Sequence, residues 1–81
     1  MKAKVYVTLR KSVLDPQGEV IKNALHHMNF NQVQNVRMGK MIELSFDPKT
    51  DKATAEKNLK AMCENLLANT VIEDYRWEIQ S

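Results

Sequence analysis

At 81 residues and 9.4 kDa the chain is one small domain spanning residues 1–81; a compact fold of that mass exposes about 5,000 Å² of the roughly 13,600 Å² of the unfolded chain, near the lower limit for folding alone, so partner chains are expected. Twelve Lys and Arg against ten Asp and Glu leave a net charge of +2, too even a balance for a nucleic-acid or anionic-membrane binder. The one cysteine, Cys63, has no internal disulfide partner, which fits a reducing compartment.

Residues 2–11 alternate, with Val5, Val7 and Leu9 on one side and Lys4, Tyr6, Thr8 and Arg10 on the other; period two with β-branched residues is the signature of a half-buried strand. No apolar targeting segment precedes it, and no apolar run approaches the roughly 20 residues of a bilayer span, so a cytoplasmic location is expected. Asp15-Pro16-Gln17-Gly18 follows. Asp15 can cap the free amides of a first helical turn, and Pro16 suits the first helical position. Val20, Ile21, Ala24, Leu25 and Met28 then share one helical arc of about 140°, closed by Asn29-Phe30-Asn31.

Residues 40–47 are a second strand, with Ile42, Leu44 and Phe46 alternating. Ahead of it, residues 32–38 read either as a hairpin partner turning at Met38-Gly39 or as part of one longer strand bulged at the glycine, the hairpin being preferred. Asp47-Pro48 ends the strand and Thr50 or Asp51 caps a second helix. Its stripe is Ala55, Leu59, Met62, Cys63 and Leu66, with Asn69 as a left-handed stop. Val71 to Ile79 is the last strand, Tyr75, Trp77 and Ile79 facing one way and Asp74, Arg76 and Glu78 the other. The order β-α-β-β-α-β predicts an α+β, ferredoxin-like-related fold: an antiparallel sheet with two helices on one face.

Catalytic chemistry is hard to find. His26 and His27 point about 100° apart on a helix, so they make a surface pair, His27 flanking the stripe and His26 in solvent, rather than a metal site. Cys63 sits on an apolar stripe and reads as a small buried hydrophobe. Glu73 and Asp74, adjacent on a strand, face opposite ways. Two glycines, Gly18 and Gly39, build neither common phosphate loop. An RNA-binding sheet would display stacking aromatics, and the open face here offers Tyr6 alone. That face carries Tyr6 and Met41, with Met38 nearby, among charges, and its edges are unprotected, so self-association through the sheet is expected. Arg10, Lys11, Arg37 and Lys40 fall at strand ends, as solvated surface by default or as charged rims of a partner contact.

Four segments read together carry a resemblance: Val5-Tyr6-Val7-Thr8-Leu9; Val13-Leu14-Asp15-Pro16-Gln17-Gly18; Val36-Arg37-Met38-Gly39-Lys40-Met41-Ile42-Glu43-Leu44; and Met62 through Tyr75, with its Leu66-Leu67-Ala68-Asn69-Thr70-Val71-Ile72-Glu73-Asp74-Tyr75 run. In this order and over essentially the whole length the chain resembles the PurS family, the small accessory subunit of phosphoribosylformylglycinamidine synthase. Lys11-Ser12, Thr70 and Met41 depart from the proline and small residue, the proline and the aromatic common at those places, which bears on local turn shape.

The resemblance implies an adaptor without an active site in an ATP- and glutamine-dependent ligase of purine biosynthesis. In it a large synthetase subunit uses ATP and magnesium, a glutaminase subunit releases ammonia, and the small subunit, itself a dimer or tetramer, joins them and assists ammonia transfer. No cofactor or metal is expected on this chain. On that resemblance Arg37, Gly39, Lys40, Met41 and Glu43, then Asn69, Asp74 and Tyr75, are candidate subunit contacts, with Tyr6 added from the open face. Two other functions fit a fold of this order. An acylphosphatase-type enzyme needs a glycine-bearing anion loop, which Arg10-Lys11-Ser12-Val13-Leu14 lacks; a metabolite-binding regulatory module is the alternative that stays open.

Overall fold

The computed structural model describes residues 1–80. Strand β1, Lys2–Leu9, is the centre of a three-stranded antiparallel sheet, flanked by β2, Gly39–Ser45, and β3, Glu73–Gln80. Val5 lies opposite Ile42 on one side and Trp77 on the other. Alternation puts Ala3, Val5 and Val7 on one face, and all three are fully buried.

Helix α1 is Pro16–His27 and helix α2 is Lys52–Met62. Each starts on an aspartate. Asp15 accepts from the Gly18 amide at 2.9 Å, and Asp51, rather than Thr50, accepts from Thr54 at 3.2 Å, satisfying amides that have no partner inside the helix. Helix α2 lays Ala55 and Leu59 across β1, and these close the core with Cys63 and Ala68. No helix of the described residues is long and apolar enough to cross a membrane.

Four local expectations are corrected. Residues 32–38 form no strand, so the order among the described residues is β-α-β-α-β with three strands, not four. Their polar groups are taken by α1 instead: His26 Nε2 lies 2.7 Å from the Val33 carbonyl, and the Met38 amide donates to Asp15 at 2.8 Å. The histidines exchange roles for the same reason, His26 being half-buried on the returning chain and His27 exposed. The left-handed residue is Asn29, with φ 73°, not Asn69. It ends α1 in the way that favours asparagine after glycine.

The fourth correction concerns the end of α2. One π-helical turn, Cys63–Leu67, follows it, closed by the Ala68 amide donating to the Cys63 carbonyl at 3.1 Å. The extra residue in that turn rotates Leu66 off the stripe, leaving it 82% exposed, and seats Leu67 against the core instead.

Leu59 is the largest side chain among those with no exposed surface. Leu59→Ala is therefore expected to lower the free energy of unfolding by about 2–5 kcal/mol in urea titration. A change under about 1 kcal/mol would mean that α2 does not close the core.

Candidate interaction surfaces

The outer face of the sheet is the one α2 leaves uncovered. Tyr6 stands at its centre, opposite Met41 on β2 and Arg76 on β3. The Arg76 guanidinium carbon lies 4.1 Å from the centre of the Tyr6 ring, a cation–π contact, and its Nη1 meets Glu78 Oε1 at 3.0 Å. The Tyr6 hydroxyl donates to the same carboxylate at 3.3 Å. Six of the nine expected contact residues, Tyr6, Gly39, Lys40, Met41, Asp74 and Tyr75, meet at one shallow depression of about 380 Å³. Glu43 lies further along β2, opposite Lys4.

Gly39 needs no positive φ; its role is space. A Cβ there would come within 2.7 Å of both the Thr8 side chain and the Val7 carbonyl oxygen, so the first residue of β2 must be glycine for the strands to close.

Tyr75 points to the helix side, where its hydroxyl donates to Glu64 at 2.8 Å and its ring stacks on Trp77 at 6.0 Å between centres. The bond to Glu64 pushes the phenol above its ordinary value. Asn69 organises the turn before β3: its amide donates to Glu73 at 2.7 Å, and its side chain accepts from the Val71 amide at 3.2 Å. Asp74 faces Arg10 at 3.7 Å, and Arg10 also reaches the Thr70 carbonyl. Asn69 thus stands outside the depression, as does Arg37.

Arg37 belongs to a second cluster that spacing alone could not reveal. Its guanidinium donates to the carbonyls of Val13 at 2.6 Å and Lys11 at 2.8 Å. Beside it Asp15, one of the few buried polar groups at 5% exposure, holds both the first turn of α1 and the Met38 amide. Hydrogen bonds from Gly18 and then Met38, opposed by desolvation and helped by Arg37, keep the Asp15 carboxyl below its usual value. Together Asp15 and Arg37 clamp the chain entering α1 to the chain leaving it. Cys63 is different: burial, then Glu64, pushes its thiol up, which suits a packing role and not a nucleophile.

A further apolar exposure lies elsewhere, on α1. Its only buried residue is Gly18. Val20 is 67% and Met28 62% exposed, and none of the α1 side chains joins the core. The arc expected to pack on the sheet is therefore intact as an arc but uncovered.

Comparison with known proteins gives one answer throughout. Residues 2–81 match the family model described as PurS: Phosphoribosylformylglycinamidine (FGAM) synthase. The chain is 56% identical over 79 residues to the phosphoribosylformylglycinamidine synthase subunit PurS of Bacillus subtilis, covering 98% of this chain and 92% of that one. A crystal structure of B. subtilis PurS superposes with a TM-score of 0.86 at 52% identity, over 99% of this chain and 98% of that one. A chain from the structure of PurLQS from Thermotoga maritima superposes with a TM-score of 0.85 at 35% identity, over 95% and 93% of the two chains.

Asp15→Ala removes the cap and the tie to Met38 at once, and is expected to lower Tm by about 5 °C at pH 7. The native Asp15 value lies below the unfolded one, so its contribution is present above about pH 4 and is lost as pH falls through the native value. Thermal melts should therefore show the wild-type advantage shrinking on acidification.

Proposed function

The chain belongs to the PurS family and is the small subunit of phosphoribosylformylglycinamidine synthase in purine biosynthesis; from that premise we propose that it works as a non-catalytic adaptor, holding glutaminase and synthetase subunits in register and assisting the passage of ammonia between them. The observation that carries this is the match, over 95% of this chain, to a chain of the PurLQS structure. In this reading the chain self-associates, ATP and magnesium stay with the synthetase subunit, and the complex works in the cytoplasm.

The physical case is one of positioning. Ammonia released into water near neutral pH is protonated and diluted, and ammonium is no nucleophile. Docking two active sites before glutamine is cleaved keeps the nucleophile neutral and close to its electrophile, the kind of advantage that orientation gives any bimolecular step. An adaptor contributes this with a rigid shape. Paired strands and a clamped helix provide one, while the buried Cys63 and the separated His26 and His27 provide no reactive group. The depression lined by Tyr6, Gly39, Lys40, Met41, Asp74 and Tyr75 is the surface assigned to the other subunits, with Glu43, Asn69 and Arg37 as further contacts outside it.

Reconstitution tests the proposal. Purified synthetase and glutaminase subunits are assayed for amidine formation with and without this chain, using glutamine or ammonium chloride as nitrogen source. Omission should lower the glutamine-dependent rate by about tenfold or more and leave the ammonia-dependent rate nearly unchanged. Equal glutamine-dependent rates with and without the chain would end the adaptor reading.

A further inference from the structure

We infer that the corner formed by the Cys63–Leu67 turn, the loop before β3 and the first residues of β3 docks a segment of another ligase subunit in which a basic side chain is flanked by apolar ones. This rests on the adaptor reading and names the chemistry that a partner must present to this chain.

Three carboxylates meet at the corner. Arg10, Glu64, Thr70, Glu73, Asp74 and Tyr75 line an open hollow of about 480 Å³ in which Arg10 is the single cation. Each acid is held through one oxygen. Glu64 Oε1 accepts from the Tyr75 hydroxyl at 2.8 Å, Glu73 Oε1 accepts from the Asn69 amide at 2.7 Å, and Asp74 Oδ1 faces Arg10 at 3.7 Å. Among the described residues Glu64 and Glu73 pair with no cation. The fold thus aims these carboxylates and leaves their charge to be met from outside. A guanidinium does this best, since its fork matches a carboxylate.

Apolar groups stand on both sides of the hollow in the chain. Leu66, 82% exposed, and Val71, 80% exposed, are the two most exposed large apolar side chains among the described residues. Neither is on a loose segment. The π turn that presents Leu66 is closed by the Ala68 amide, and such turns recur at functional sites. Val71 is carried on a turn fixed by three bonds: its amide donates to the Asn69 side chain at 3.2 Å, and the Ile72 and Glu73 amides donate to the Asn69 carbonyl at 3.0 and 2.8 Å. A contact surface held in advance loses little entropy on docking.

Charge decides against a second copy here. A two-fold contact would set the same three carboxylates against themselves, whereas a basic segment is complementary to them. The corner also continues the depression assigned to the other subunits, sharing Asp74 and Tyr75 with it. The depression carries Lys40 and Arg76 against Asp74, so the two neighbouring surfaces differ in sign and select different docking segments.

Titrating this chain into the reconstituted ligase tests the inference. Leu66→Ser with Val71→Ser alters only exposed side chains, and Glu64→Gln with Glu73→Gln keeps both accepting oxygens, so far-ultraviolet circular dichroism should match wild type in each. Either pair should raise the chain concentration that gives half the maximal glutamine-dependent rate by about tenfold, with the wild-type rate restored at saturation. Added salt should weaken docking of the wild type more than of the Gln pair. Hydrogen exchange on the wild type needs no variant: amides of residues 64–72 should exchange several-fold more slowly in the complex than in the isolated chain at equal concentration. Unchanged half-saturation in both pairs, or unaltered exchange at residues 64–72, would overturn the inference. So would a lower light-scattering mass of the isolated Leu66→Ser, Val71→Ser chain, which would make the corner a contact between copies. A wild-type chain that leaves the rate unchanged sinks the adaptor reading, whereas these outcomes concern only where the partner docks.

Discussion

One helix covers one face of a three-stranded sheet, and the rest of the molecule follows from that constraint. Helix α2 and the π turn after it meet β1 through Leu59 and Cys63, with Ala55 buried as well, and under them Ala3, Val5 and Val7 are buried. The flanking strands are protected only in part: Ile42, Leu44, Tyr75, Trp77 and Ile79 pack against this core while remaining half-exposed. A core of this size is small even for 81 residues, where burial only just outweighs conformational entropy. The chain therefore depends on interactions of high local order. Both helices start on aspartate caps, and the edge strand β2 closes against β1 only because Gly39 has no side chain.

The same constraint explains why the Asp15–Arg37 cluster matters. Helix α1 has no sheet to lie on, so nothing in the core fixes its direction. Its orientation is set at its base, where one carboxylate holds two backbone amides from opposite ends of the arm and one guanidinium holds two carbonyls from the loop that leads in. Charge-assisted bonds of this kind are stronger and shorter than neutral ones. Further out, His26 ties the helix to the returning chain at Val33. Polar contacts here take over the task that apolar packing performs for α2, and they leave the apolar stripe of α1 free.

What was legible in the sequence was what is decided locally. The alternation of Val5 and Val7, the cap at Asp15, and the stripe through Ala55, Leu59 and Cys63 depend on neighbours a few residues away, and each stands where the pattern put it, while the second cap, open between Thr50 and Asp51, is Asp51. Leu66 was misplaced because periodicity assumes an unbroken α-helix, and the π turn that ejects it is set by how Leu67 and Ala68 meet the core. The exchanged roles of His26 and His27 and the missing strand at residues 32–38 have a common cause. They turn on where the chain goes after α1, which is a tertiary choice. Of the expected contact residues, the spacing brought six to one depression through strand register, whereas the clamp of Arg37 onto Val13 and Lys11 joins positions more than twenty apart and leaves no local signal.

An amphipathic arc in a sequence says that a helix buries one side; it does not say against which molecule. In a protein large enough to close its own core the distinction rarely matters, since the nearest apolar surface belongs to the same chain. Here it decides the biology. A chain that kept α1 on its own sheet would be a rounder and more self-sufficient domain, with little apolar surface left to offer. By directing α1 outward on a polar clamp, the fold leaves the apolar side of that helix exposed. A rigid projection held at its base is what a part that keeps others at a fixed distance requires.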